Sequence, residues 1–307
     1  MQFGFAGSPE FAADILQIIL DAGFRPQLVI TQTPKPTGRG QKIQHTPVYA
    51  LAQRENLPTV APNNIEECVK SLKELELLAI AAYGQILPSS VLNAPFYGCI
   101  NVHTSLLPRW RGASPIEHAI LHGDQTTGVS IMQIESKLDA GPIYLQRTYS
   151  LDGTETTASL SNKLAKLGGN ALLTVLKDFR KTDKPKPRPQ EKIGVTYAPR
   201  LSSNDARIDW GQTATTIERK VRAFVGRNAA FTSREHLRLR ILEAEVREGE
   251  FLPGRLYRSA GTLMIGCKKD GLLLRTLQLN RGKGTPLSVE SILNGFDRLF
   301  KDGIQFD

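Results

Sequence analysis

Cysteine is scarce: three residues in 307, at positions 68, 99 and 267, without paired spacing. That argues against a disulfide framework or a cysteine-built zinc site, and it fits a reducing cytoplasm. Long apolar runs are lacking too. No stretch reaches the roughly 18 apolar residues that a membrane-spanning helix requires, so no membrane partner is expected. The opening residues MQFGFAGSPEFAAD have no basic segment followed by an apolar one and a cleavage site, so no secretion signal is expected and a cytoplasmic location is. The G-x-G-x-x-G fingerprint of dinucleotide sites is absent, since residues 4–9 read GFAGSP. A tight strand-to-helix turn suffices there. His45, His118, His122 and His236 show no metal-ligand spacing with carboxylates or cysteines beyond a weak His118/His122 pair, and no metal is expected.

What is present is a globular composition, 40% hydrophobic and 22% charged, in a chain long enough for two domains. The net charge of +9 is uneven along the chain. Residues 1–180 hold 15 Lys+Arg and 15 Asp+Glu, residues 181–202 hold 6 and 2, and residues 203–307 hold 18 and 13. An excess confined to the last two-fifths points to an acidic partner, nucleic acid first, against the plainer reading that it aids solubility.

The first part of the chain alternates strand-like and helix-like segments. MQFGFAG, PQLVIT and LLAIAAY are apolar runs; PEFAADILQIILDAG has helical spacing, and Thr46 and Pro47 mark the start of another helix. TGVSIMQI and GPIYLQRTYSL are expected to pair as later strands, and a helix is expected over 155–179. This pattern predicts an α/β domain with an open, mostly parallel sheet over residues 1–180. Prolines alternating with basic residues at 185–189 mark 181–202 as an extended basic linker. Residues 203–307 combine one basic amphipathic helix with short strand-like pieces, which suggests a small β-barrel.

The most informative stretch is GCINVHTSLLPRWRGASP at 98–115. Asn101 and His103 are two apart, so an extended chain points both to one side, and a polar pair at the end of a buried strand needs partners or a ligand. Asp139 follows 36 residues later in KLDAGP. A carboxylate beside an imidazole makes a proton-handling pair, and a neighbouring amide can donate to an oxyanion. Together these suit attack of an amine on an acyl carbon, provided Asp139 meets His103. Ser105 lacks the G-x-S-x-G elbow. Cys99 shares the parity of Asn101 and His103, but its depth in the strand favours packing over a nucleophilic role. The loop 32–45 carries Lys35, Arg39 and Lys42 among glycines and prolines, either as a solvated loop or as a basic finger for phosphates.

NVHTSLLPRWRGASPI with LDAGP downstream resembles the formyltransferases that use 10-formyltetrahydrofolate. TPKPTGRGQK, ARIDW at 206–210 and the basic C-terminal part resemble the methionyl-tRNA formyltransferase family in particular, over essentially the whole chain. The resemblance implies a Rossmann-like first domain and a smaller C-terminal barrel like an OB fold. It implies Asn101, His103 and Asp139 as the catalytic trio, and direct amine attack through a tetrahedral intermediate. Ser105, Leu106, Leu107 and Pro108 become the folate-contacting stretch, and Ala82, Tyr83, Gly84, Ile86 and Leu87 the wall beside the pterin. Lys35, Arg39 and Lys42 become the tRNA-facing loop. The implied partners are 10-formyltetrahydrofolate as co-substrate and initiator methionyl-tRNA, with no metal and a monomeric chain. Formyl transfer to a nucleotide-sugar amine, formyltetrahydrofolate hydrolysis and an inactive RNA-binding protein share the strand-end motif and stand as alternatives. Thr104, Lys137, Glu117–His118 and the segment 222–231 depart from the family's usual residues.

Overall fold

The computed structural model describes residues 1–37, 42–181, 185–226, 228–280 and 284–307. The chain divides into two compact units, one of residues 1–115, 126–150 and 161–199, the other of residues 116–125, 151–160 and 200–307.

The first unit opens with strand β1 (Phe3–Gly7), buried throughout, and helix α1 (Glu10–Asp21), whose Ala12, Ile15, Leu16 and Ile19 form its inward stripe. Strand β2 (Leu28–Ile30) follows, then a two-stranded hairpin of β3 (Lys35–Thr37) and β4 (Lys42–Gln44). Helix α2 (Pro47–Arg54) starts where the sequence indicates: Thr46 Oγ1 accepts the Tyr49 N–H, a cap worth about 1 kcal/mol. Then come β5 (Thr59–Val60), the short helix α3 (Val69–Leu72), β6 (Leu77–Ala81), the short helix α4 (Ser89–Leu92) and β7 (Cys99–His103). Helix α5 (Pro115–His122), counted with the second unit from residue 116 on, precedes β8 (Thr126–Gln133) and β9 (Ile143–Ser150), and helix α6 covers Thr157–Asp178, its residues up to 160 likewise counted with the second unit.

The sheet order is β5-β2-β1-β6-β7-β8-β9. Strands β5 through β7 are parallel, and β8 and β9 add an antiparallel edge. Beyond β1 the chain turns to β2 on one side, and β6 joins on the other. That reversal opens a crevice at the carboxyl ends of β1 and β6, where open α/β sheets bind ligands.

In the second unit, helix α7 (Ala214–Phe224) buries Ile217, Val221 and Phe224. Strands β10 (Phe231–Arg234), β11 (Leu237–Arg247), β12 (Leu256–Ser259), β13 (Thr262–Gly266) and β14 (Gly271–Leu279) form an antiparallel sheet in the order β10-β11-β14-β13-β12. The two-residue strand β15 (Leu287–Ser288) pairs with β14 ahead of helix α8 (Val289–Phe296). Register shifts around Glu243 bend β11, and a bulge of this kind curls a sheet into a half-barrel.

The described residues of 181–199 cluster with the first unit, where main-chain and side-chain pairing hold them. The charge division changes as a result. The first unit holds 20 Lys+Arg against 13 Asp+Glu and the second 19 against 17, since Glu117, Asp124, Asp152 and Glu155 belong to the second. No helix among the described residues is long and apolar enough to cross a membrane.

Candidate active site

Strand β7 runs antiparallel to β8, with Asn101 opposite Met132 and His103 opposite Ser130, and parallel to β6, with Asn101 opposite Ile80. The two-residue parity places Asn101 and His103 on one face at the carboxyl end of the sheet. Asn101 is half-buried, and its side-chain amide takes no hydrogen bond among the described residues. His103 is 5% exposed. Its Nε2 lies 2.9 Å from the Trp110 carbonyl, which only accepts, so Nε2 carries a hydrogen. Its Nδ1 lies 3.8 Å from Asp139 Oδ2.

Asp139 sits at φ 44°, in the left-handed region that Asp tolerates better than most residues. Its Oδ2 accepts the Gly112 N–H at 2.8 Å. Gly112 has φ 125°, and a Cβ there would lie 2.6 Å from the Ala198 carbonyl oxygen, so only glycine lets the turn approach. The structure therefore brings Asn101, His103 and Asp139 together. The arrangement leaves Asn101 as the uncommitted donor, whereas the sequence suggested that both Asn101 and His103 face a ligand.

The stretch expected to contact the folate, 105–108, divides by alternation. Ser105 is fully buried and donates to the Arg109 carbonyl, and Leu107 packs with Met132 and Ile143. Leu106 and Pro108 remain half-buried. Ser130 Oγ donates to the Ser105 carbonyl, and Gln146 Nε2 donates to the Leu107 carbonyl, so the stretch is held from behind.

Among the residues expected to form the wall beside the pterin, Tyr83 turns inward. Its phenol joins the core with Cys68 and Leu72, and burial pushes its pKa up to about 12. Its carbonyl accepts from Ser8 Oγ and Gln32 Nε2. Ala82 and Gly84 take positive φ, Ile86 is 94% exposed and Leu87 half-buried. Ala82, Tyr83 and Gly84 line a cleft of about 410 Å³ with Ser8, Lys35 and Thr46, at the crevice between β1 and β6. Lys35 Nζ donates to Gln32 Oε1 in the same cleft. Lys42 is placed by its backbone in β4, while Arg39 lies outside the described residues.

Cys99 lies behind Asn101, fully buried, and burial pushes its thiol up to about 12. A thiol so shielded is a packing group. We expect Cys99→Ala to keep turnover within about threefold while lowering the melting temperature, as deletion of a buried side-chain atom does. Steady-state rates and thermal unfolding check this. A loss of 100-fold in a folded variant would restore a nucleophilic role.

Several contributors were not legible in the sequence. Arg111 and Gly112 lay inside the quoted motif without an assigned role. Gln190 carried no signal at all, yet its side chain reaches Asp139.

Residues 3–176 match the model of the Formyl transferase family and residues 200–297 that of the Formyl transferase C-terminal domain. The methionyl-tRNA formyltransferase of Hahella chejuensis is 40% identical over 306 residues, covering 97% of this chain and 95% of that protein. That of Nitrosomonas eutropha is 38% identical over 291 residues, covering 92% of each. Among solved structures, methionyl-tRNA formyltransferase from Clostridium thermocellum matches with a TM-score of 0.57 at 18% identity, over 81% of this chain and 95% of that one. An N-formyltransferase from Helicobacter canadensis, in complex with folinic acid and dTDP-3-aminofucose, matches with a TM-score of 0.68 at 18% identity, over 89% and 98%. With both domain models matched in order and near-full-length relatives at about 40% identity, this chain belongs to the methionyl-tRNA formyltransferase family.

Proposed function

We propose that the protein moves the formyl group of 10-formyltetrahydrofolate onto the free amine of initiator methionyl-tRNA, with Asn101, His103 and Asp139 as the reacting constellation. One observation carries the assignment of residues: an uncommitted amide and a buried imidazole–carboxylate pair converge at one strand end. This donor set fits an acyl group whose oxygen gains negative charge, and half-buried Leu106 and Pro108 offer apolar surface to a ring system.

When bound, the co-substrate supplies a formyl carbon attached to a nitrogen able to leave. Asn101 donates its amide N–H to the oxygen at which charge develops, a donor already in place before reaction. Asp139 Oδ2 accepts from Gly112 and faces His103, which leaves Oδ1 to accept the proton that the amine sheds. The Trp110 carbonyl fixes the His103 ring through Nε2, which turns Nδ1 toward Asp139. The proton then passes to the departing nitrogen.

The folate is assigned to the surface of Leu106, Pro108, Ile86 and Leu87 with the main chain of Ala82 and Gly84. Ser105, Leu107 and Tyr83 act from behind. Lys35 shares its cleft with Ala82 and Gly84, which supports a loop of Lys35, Arg39 and Lys42 that brings the aminoacyl end of tRNA beside the folate. The enzyme is assigned to the cytoplasm, where its three buried free thiols stay reduced, and to a monomeric state.

The test is direct. Incubation with 10-formyltetrahydrofolate and methionyl-tRNA should give formylmethionyl-tRNA only when both are present. Formate release without tRNA would favour hydrolysis, formylation of an aminosugar nucleotide would favour a sugar substrate, and tRNA binding without turnover would favour an idle fold.

A further inference from the structure

The segment 185–199 lies against the first unit as an arm, and one side chain in it is bonded at every polar atom. Gln190 Oε1 accepts from Arg111 Nε at 3.1 Å and from Nη2 at 2.7 Å. Gln190 Nε2 donates to the carbonyls of Asp139 and Gly141, both at 2.8 Å. The amide's two acceptor and two donor positions are all used.

Both ends of the arm are pinned by main chain. Arg188 exchanges a pair of hydrogen bonds with Ile143, at 2.7 and 2.9 Å. On the other side, Arg111 N–H donates to Thr196, Ala198 N–H donates to Arg111, and Ser114 N–H donates to Ala198. Thr196 Oγ1 accepts the N–H of Trp110, the residue whose carbonyl holds His103. Arg188 Nη2 also donates to Gln146 Oε1, and Gln146 in turn holds the Leu107 carbonyl.

We infer that Gln190 is a positioning residue for the formyl-transfer reaction, holding the Asp139 turn and the Arg111–Gly112 turn in the one geometry that aims the Asp139 carboxylate at His103. Asp139 needs such a grip for two reasons. Its backbone sits in the left-handed region, a state that persists only where its surroundings impose it. Its carboxylate is held by a Gly112 N–H from a separate turn, so the two turns must keep their spacing. Gln190 spans both. Gly141 completes the fit, since a Cβ there would lie 1.9 Å from the Gln133 carbonyl oxygen and the turn has no room to relax toward β8.

The inference rests on the role assigned above to Asp139. Its second consequence concerns chain order: the arm continues directly into residue 200, where the C-terminal domain match begins. The tether of that domain and the brace of the carboxylate are one piece of chain.

Two substitutions separate bracing from stability. Gln190→Glu keeps an acceptor for buried Arg111 but loses both donors and sets an anionic oxygen against two carbonyls. Its melting temperature should stay within a few degrees of the parent, while kcat falls on the order of 10-fold, because small misplacements of reacting groups are costly. KM for the folate should change less than twofold. Gln190→Ala should lose similar turnover together with stability, since Arg111 is then left buried without its acceptor.

The deciding measurement is a double-mutant cycle with Asp139→Asn, read as single-turnover rates. A brace that works through the carboxylate should cost about 10-fold in the parent and less than twofold in the Asp139→Asn background. Equal costs in both backgrounds, or an undiminished kcat in Gln190→Glu, would overturn the inference and leave the role of Asp139 standing. Unchanged turnover in Asp139→Asn alone would remove the carboxylate from the reaction, and the inference with it.

Discussion

Asn101→Ala should lose on the order of 100-fold or more in turnover, the usual cost of removing one oxyanion donor. The expectation follows from how the three groups are engaged. His103 has its Nε2 hydrogen committed to Trp110, and its Nδ1 faces Asp139 Oδ2 at 3.8 Å. Asn101 alone of the trio has a side chain without a hydrogen bond among the described residues. Folding should survive, because a half-buried amide with no protein partner leaves no unpaired group when deleted. The loss should fall on kcat, with KM for the folate within a few-fold, because the donor matters most once charge has developed. Rates of the purified, folded variant check this, and near-normal turnover would transfer the oxyanion role to another group.

The next largest effect is expected from the arm together with Lys181 ahead of it. Replacing Lys181, Lys186 and Lys192 together with Gln should weaken tRNA binding on the order of 100-fold at about 0.1 M salt, and flatten the plot of log affinity against log salt by roughly two to three units. All three are exposed, so the change should leave folding intact. The stretch 181–307 holds the whole excess along the chain, but the described arm residues pack with the first unit, and that unit then carries 20 basic residues against 13 acidic ones. Long-range attraction for a polyanion is therefore strong on the unit that holds Asn101, His103 and Asp139. Folate binding serves as the control and should not move. An unchanged salt slope would place the phosphate contacts elsewhere.

Local features were readable because they depend on neighbours in the chain. The Thr46 cap and Pro47 announced α2, the apolar stripe of PEFAADILQIILDAG announced α1, and continuous burial announced β6 as a central strand. The parity of Asn101 and His103 needed only a regular strand. Tyr83 was less readable. An aromatic residue after a central strand can face a ligand or the core, and the positive φ values of Ala82 and Gly84 on either side turn its ring to Cys68. The arm was the hardest to read. Its proline and lysine content describes a solvated extended chain, and nothing local indicates that Gln190 finds Arg111 at a separation of 79 residues.

The sequence by itself determined the alternation of strands and helices, the helix starts, the common face of Asn101 and His103, and the family. These are properties of short-range sterics and of side-chain periodicity, which hold wherever the segment lies. The tertiary structure alone decided that Asp139 meets His103, that the Trp110 carbonyl occupies the remaining ring nitrogen, that Ser105 and Leu107 face inward, and that the basic segment braces the site. Each of these depends on strand order, on the β7–β8 register and on turns brought together from distant parts of the chain. A contact across 27 or 51 residues, such as Asp139 makes with Gly112 and Gln190, exists only once the sheet has set the distance between them.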